Sequence, residues 1–399
     1  MSGGTVIVGG GIGGVYTAMN LIREGFPPEK ITIIAREWPA YSRHRLAEFL
    51  SSKVPFGRIA LGLSKRLSWM GVRVLAGTEA ISLDTAEKTV GIKTNGGTSE
   101  VEYGNLVVAT GGRPFLPPIP GVGLKGVVTF HGSNDVEFLS SLPGGSRTVV
   151  IGAGLVGLTA AVALRKLGHG VTVIEARGRI LPNLLEGPLA EFVGDHLTRL
   201  GIQVLTSSLV EEVEGDEWVE GVRLRGGEEF WAKSVVMATG VRPNSGLLRR
   251  DGRPIEVDEA GRTGFPGVYA LGDCAMSRDF ITGEFVYRPL GFVAGHYAQL
   301  VARAIVGRAV ADRGVIPTVY EAIGPVEVYA VGLGGAEAEK LGVLGDVEVE
   351  GGENWREARV FDADGRLIGW ERVQSGHLHS VGSANAYLRI RELHGGRAE

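Results

Sequence analysis

Val6-Ile-Val-Gly-Gly-Gly-Ile-Gly-Gly14 is the stretch that decides how this chain folds. Three β-branched residues, the composition of a buried strand, run directly into glycines. The chain then continues as Val15-Tyr-Thr-Ala-Met-Asn-Leu-Ile22, which reads as a helix. Gly9, Gly11 and Gly14 stand at the G-x-G-x-x-G spacing. In a strand–turn–helix the first glycine makes the tight turn and the second lets a pyrophosphate reach the backbone. The third lets helix and strand pack closely. Phosphate oxygens then meet free N–H groups and the positive end of the helix dipole.

The same order appears a second time. Thr148-Val-Val-Ile-Gly-Ala-Gly-Leu-Val-Gly157 places Gly152, Gly154 and Gly157 at the same spacing, before a helix over Leu158–Leu167. In each unit a second apolar strand follows and ends near an acid. Ile31–Ile34 leads to Glu37, and Val171–Ile174 leads directly to Glu175. A carboxylate at that place can accept hydrogen bonds from ribose hydroxyls. Both units then pass through segments that read as hairpins. These are about residues 71–101, with the turn Asn95-Gly96-Gly97, and later Gln203–Leu209 and Val219–Phe230. Each closes on a buried strand and an Ala-Thr-Gly turn, Ala109-Thr110-Gly111 and Ala238-Thr239-Gly240. A repeat of this complexity predicts two dinucleotide sites. Pro114, Pro117, Pro118 and Pro120 mark a crossing between the units.

The whole chain of 399 residues, 44% hydrophobic and 22% charged, is long enough for two or three packed domains. A net charge of -4 gives no electrostatic case for nucleic acid or an anionic membrane. The single cysteine, Cys274, excludes an intrachain disulfide and dithiol catalysis, and we expect it to be a small buried residue. Uncharged Thr5–Ile22 and Thr148–Leu164 read as strand, turn and helix rather than membrane spans. No basic region precedes the first apolar stretch, so we expect no secretory leader and a cytoplasmic protein. The eight histidines form no metal pattern; His377 and His379 would share a strand face without a third ligand. The acidic run Glu211–Glu217 reads as a solvated edge or loop, and Trp355 and Trp370 as core or interface anchors. After Gly272-Asp273, a helix over about residues 291–307 leads to a β-rich module that ends in a helix near 384–393.

With two glycine turns, two Ala-Thr-Gly-x-Arg-Pro turns and Ala270-Leu-Gly-Asp273, residues 4–310 resemble the pyridine nucleotide–disulfide oxidoreductase superfamily. The implied fold is α/β, with two Rossmann-like dinucleotide-binding domains of glutathione-reductase type and a small α+β C-terminal domain. The resemblance implies an FAD-binding domain over 1–115 and 241–312, an NAD(P)H-binding domain over 116–240 and an interface-type domain over 313–399. By the same resemblance FAD would contact Gly9, Gly11, Ile12, Gly13, Gly14, Glu37, Arg43, Ala109, Thr110, Gly111, Gly272 and Asp273. NADH would contact Gly152, Gly154, Leu155, Val156, Gly157, Glu175 and Gly240. Glu175 argues for NADH because a carboxylate repels the extra phosphate of NADPH, while Arg177 and Arg179 keep NADPH use open.

Tyr41-Ser-Arg-His-Arg-Leu46 is similar to a segment of the rubredoxin, ferredoxin and nitrite reductases of that superfamily. Residues 35–60 contain no cysteine, which disfavours the thiol-dependent members. Many members of the resembled subgroup carry a lysine and a glutamate near the flavin. This chain has Glu48 and Thr159 at the best-matching positions, with Arg45 or Lys53 as substitute cations. The implied function is an FAD-dependent reductase passing hydride from NADH to flavin and electrons on to rubredoxin, ferredoxin or dioxygen. A homodimer through the C-terminal module is also implied. The alternative is an FAD-binding subunit or redox-sensing module with little turnover of its own.

Overall fold

Val6, Ile7 and Val8 are all buried, because a strand inside a parallel sheet is covered on both faces. The computed structural model describes residues 3–52, 57, 59–376 and 382–395. The chain divides into two compact units, one made of Met1–Ser42, Phe56–Arg113 and Val241–Val315. The other is made of Arg43–Pro55, Pro114–Gly240 and Ile316–Glu399.

In the first unit Thr5–Val8 is the centre of a five-stranded sheet. Asn105–Val108 and Ile31–Ala35 flank it, and Val268–Ala270 and Arg73–Ala76 are the edges; all pairings are parallel. Strand alternation splits the apolar residues between two cores. Ile7, Ile31, Ile33 and Val107 pack against helices Ile12–Arg23 and Gly291–Ile305. Val6, Val8, Ile34 and Leu106 pack against Val90 and Ile92 of an antiparallel meander formed by Glu79–Asp84, Thr89–Thr94 and Gly97–Glu102.

The second unit repeats the plan. Ile202–Leu205, Gly170–Ile174, Arg147–Ile151, Ser234–Met237 and Val127–Val128 form a parallel sheet in that order. Val149, Ile151 and Val235 bury against Val213 and Val222 of a second meander. The unit also holds an antiparallel five-stranded sheet, ordered Thr318–Ile323, Val326–Gly332, Leu367–Ser375, Trp355–Phe361 and Asp346–Gly352, and the helix Gly382–Gly395. Within this unit Glu371 of the antiparallel sheet accepts the Glu186 N–H at 2.7 Å, and the Glu186 carboxylate accepts the Gly335 N–H at 3.0 Å. Burial pushes the Glu371 carboxyl up to about 8.

Two sequence expectations need correction. Arg73–Ala76 and Ile202–Leu205 are parallel edge strands, not hairpin arms. Both strands are partly solvated, as hairpin arms are, so local pattern cannot separate the two. The run Glu211–Glu217 lies on a solvated edge, as expected, and its charges are paired across the sheet. Val210–Gly215 is a strand, and Arg223 of its partner strand donates to Glu211 and Glu214, each at 2.9 Å, and also pairs with Glu212. Trp370 is buried as expected, and Trp355 lies under the Arg372 guanidinium, 4.6 Å from its carbon to the ring centroid.

Candidate functional site

Each glycine turn is built where a central strand ends and its neighbours take up the free backbone groups. The Gly9 N–H donates to Ile34 O at 2.9 Å and the Ala109 N–H to Val8 O at 2.8 Å. In the second unit Gly152 donates to Ile174 O and Ala238 to Ile151 O, both at 2.8 Å. The two turns share one design.

Space explains the glycines in two different ways. Gly9 has φ +124, and a Cβ there would lie 2.0 Å from Ala109 O; a Cβ on Gly14 would lie 2.0 Å from Gly9 O. Gly152 and Gly157 repeat this, with Ala238 O at 2.4 Å and Gly152 O at 2.0 Å. These four are required by the turn itself. Gly11 and Gly154 have ordinary extended backbone, φ −82 and −79, and a Cβ on either would meet nothing within 4 Å. Their missing side chains leave open space in front of the helix starts Ile12–Gly14 and Leu155–Gly157. Neither helix has a side-chain cap or an acid in its first turn. The backbone N–H groups there are left for an anion, so both cradles fit a dinucleotide pyrophosphate.

Further elements close around the first turn. Leu271 Cδ1 lies 2.7 Å from a Cβ built on Gly13, and Ala294 Cβ lies 3.1 Å from one built on Gly272. Gly291 begins the last helix of this unit beside Ile12. Gly9–Gly14, Ala109–Gly111, Gly272 and a second uncapped helix start are therefore brought together. Thr110 Oγ1 donates to Asn244 O at 2.6 Å, and Asn244 N–H donates to Gly111 O at 2.9 Å, which fixes the Ala-Thr-Gly turn. Asp273 is adjacent, its Cβ 3.4 Å from the position a Cβ on Gly112 would take. Cys274 is fully buried, its Sγ 3.3 Å from Leu271 O and 3.4 Å from Val108 O. Burial pushes its thiol up, so it stays protonated and inert.

The acids differ between the repeats. Ile34 and Ile174 hold equivalent positions, so the counterpart of Glu175 is Ala35, and Glu37 lies two residues farther on. Ala35 packs its methyl against Gly10, whereas Glu175 accepts the Ala153 N–H at 2.8 Å and the Arg177 N–H at 2.9 Å. Glu175 is thus both nearly buried and a brace for its turn. Glu37 is exposed and accepts the Tyr41 hydroxyl at 2.8 Å. Arg177 is exposed and donates to Asn183 Oδ1 at 2.5 Å.

Arg43, Arg45, Glu48 and Thr159 all belong to the second unit. The helix Leu46–Ser52 packs there on Leu155–Lys166 and Ser133–Ser141. Arg45 grips Glu48 in a bidentate pair, Nε to Oε2 at 2.8 Å and Nη2 to Oε1 at 2.9 Å. Thr159 donates its hydroxyl to Leu155 O of its own helix at 2.9 Å. Gly240, at φ +115, accepts the Phe115 N–H at 2.9 Å. Lys53, His377 and His379 lie outside the described residues. Among the described residues no three potential ligands gather as a metal site, and no helix is long and apolar enough to cross a membrane.

Sequence reasoning missed a hairpin in the first unit. Ser277–Arg278 pairs with Phe285–Val286, and the enclosed loop is organised by Asp279. Its Oδ1 accepts the N–H groups of Ile281 and Thr282 and the Thr282 hydroxyl, and its Oδ2 takes the Arg288 guanidinium at 2.6 Å. Tyr287 immediately precedes Arg288 of this buried pair. The only signal was Tyr287-Arg-Pro-Leu-Gly291, which carries no recognisable spacing.

Comparison with known proteins agrees with this geometry. A profile of the pyridine nucleotide-disulphide oxidoreductase family matches residues 4–304. An NADH oxidase of Methanocaldococcus jannaschii is 30% identical over 390 residues, covering 92% of this chain and 87% of the relative. A ferredoxin–NAD(+) reductase subunit of a Pseudomonas putida benzene 1,2-dioxygenase system is 30% identical over 316 residues, 78% of this chain and 76% of that one. Among solved structures, an NAD-dependent persulfide reductase from A. fulgidus superposes with a TM-score of 0.87 at 30% identity. It covers 98% of this chain and 77% of its own.

Proposed function

The chain belongs to the pyridine nucleotide-disulphide oxidoreductase family, and from that premise we propose that it is a thiol-independent NADH reductase whose acceptor is a small redox protein or dioxygen. The family is one of FAD-dependent NAD(P)H oxidoreductases, and both cradles fit dinucleotides. The observation that carries the reading is the pair of open cradles at Gly11 and Gly154 in a chain whose single cysteine is buried. A cysteine relay to a persulfide or disulfide acceptor is thereby excluded.

FAD, when bound, supplies the redox chemistry, accepting hydride from NADH and releasing electrons singly or in pairs. The first unit would hold it. Gly11 leaves room for the pyrophosphate, and the N–H groups of Ile12, Gly13 and Gly14 face its charge. Asp273 would accept hydrogen bonds from the ribityl hydroxyls, and Glu37 from the adenosine ribose. The second unit would hold NADH through Gly154, the Leu155–Gly157 N–H groups and Glu175. These residues bind and orient, and no side-chain acid or base is needed for hydride transfer itself. The Arg45–Glu48 pair puts a neutralised cation on the second unit, in place of a lone lysine. We assign the FAD role to residues 1–115 and 241–312, the NADH role to 116–240, and a homodimer contact to 313–399.

Anaerobic stopped-flow mixing with NADH tests the reading. The flavin band should bleach at about 1–1,000 per second, and ferredoxin, rubredoxin or dioxygen should restore it. No bleaching over minutes would overturn the reductase and favour the subunit or sensing module.

Cofactor preference gives a second expected outcome. Glu175→Ala should narrow the NADH-to-NADPH ratio of kcat/KM by about tenfold or more, since a charge-assisted hydrogen bond and a repulsion are both removed. Because Glu175 also braces Ala153, Glu175→Gln separates the effects by keeping an acceptor and losing the charge. An unchanged ratio in both variants would remove Glu175 from cofactor selection.

A further inference from the structure

We propose that Tyr287 is an additional FAD-binding residue, its hydroxyl donating a hydrogen bond to the cofactor in the cradle bordered by Asp273. The inference rests on the reading that the first unit holds FAD. Three observations carry it. The Tyr287 hydroxyl oxygen is buried and has no hydrogen-bond partner among the described residues, although the residue as a whole is only partly buried. Native proteins leave few buried polar atoms in that condition, and a hydroxyl without a partner points to a group that arrives from outside.

The hydroxyl feels charged groups of the cradle. The groups that act electrostatically on this hydroxyl are Asp273, Cys274 and Arg242, two of them in the Gly272–Cys274 turn that closes against the last helix. Burial, reinforced by Asp273 and Cys274 and opposed by Arg242, pushes the phenol well above its usual value. It therefore remains a protonated donor across the working pH range. A phenol O–H suits a phosphate or hydroxyl oxygen of a dinucleotide.

The residue is also held in place. The preceding hairpin is fixed through Asp279, Arg288 is locked to the same carboxylate, and Leu290 is the N-cap of the helix whose first residue, Gly291, lies beside Ile12. Tyr287 therefore stands on a braced support on both sides, as a pre-organised contact requires.

Tyr287→Phe removes the hydroxyl and keeps the ring. The rate of FAD release from the purified holoprotein, and the FAD dissociation constant of the stripped full-length chain, should each rise about three- to tenfold. The melting temperature of the stripped chain should stay the same or rise, because no internal hydrogen bond is lost. The upward shift that FAD gives to that temperature should shrink. Unchanged FAD affinity would overturn the proposal. So would a drop in stability of the stripped Tyr287→Phe chain, since the hydroxyl would then have an internal partner. Gly11→Val serves as the control for the underlying reading. If it abolishes FAD binding while Tyr287→Phe has no effect, only the role of Tyr287 fails. If Gly11→Val retains FAD at native affinity, the assignment of FAD to this unit fails with it.

Discussion

Gly154→Val is expected to give a folded protein that keeps its flavin but loses reduction by NADH, by at least about 100-fold in kcat/KM. The backbone at Gly154, φ −79 and ψ −178, is extended and suits valine, and a Cβ there meets nothing within 4 Å. The turn itself is therefore kept. What changes is the space beyond the turn, which the valine fills in front of the helix N-terminus where the pyrophosphate must lie. Two or more charge-assisted hydrogen bonds are lost together. Gly11→Val, with φ −82 and the same open surroundings, should have the reciprocal phenotype: native circular dichroism and a protein that emerges colourless from desalting. Flavin absorbance after purification and anaerobic NADH mixing check the pair. Gly154→Val reduced at the native rate would refute the assignment of the second turn. Gly14→Ala and Gly157→Ala provide the contrast, because each new Cβ lies 2.0 Å from a carbonyl oxygen and the turn itself must break.

Asp279→Ala should destabilise the first unit by about 3–5 kcal/mol, among the largest single-residue effects in the chain. Asp279 is fully buried, and Arg288 is nearly so. Removing the carboxylate takes from a buried guanidinium its partner at 2.6 Å and orphans two backbone N–H groups and a hydroxyl. Surface ion pairs such as Arg262–Asp258 should cost under about 1 kcal/mol by the same measurement. Asp279→Asn, which keeps an acceptor for the loop N–H groups, should recover part of the loss. Thermal melting of the variants, with and without FAD, reads the difference. A melting temperature for Asp279→Ala within a degree or so of native would show that the loop does not depend on this pair.

Local geometry is what the residues themselves announce. Gly9, Gly14, Gly152 and Gly157 are legible because a tight turn and a close helix leave no room for a Cβ, a constraint contained within a few residues. The continuous apolar runs at residues 5–8 and 148–151 are legible because both faces are covered. What long-range register decides was not legible. Ala35 rather than Glu37 matches Glu175 only once the strands are aligned. Arg223 collects three carboxylates from a neighbouring strand, which an acidic run by itself cannot announce. Arg73–Ala76 and Ile202–Leu205 are partly solvated edge strands, and only their parallel pairing separates them from hairpin arms. Tyr287 gave no signal at all, because its significance lies in a missing partner and in the proximity of Asp273.

The pairing of Val268–Ala270 with Leu106–Val108 bears on how the protein is made. The sheet of the first unit receives its last strand only after the whole parallel sheet of the second has been synthesised, since that one is complete at Met237. On a ribosome adding about 5–20 residues per second, Leu106–Val108 waits about 8–30 s for its outer neighbour. During that interval an apolar strand presents unpaired N–H and C=O groups to every other nascent chain. The parallel sheet of the second unit can close first, while that of the first unit closes late. Slow translation between residues 108 and 268, or weak chaperone supply, should therefore trap protein whose defect is an unfinished first sheet.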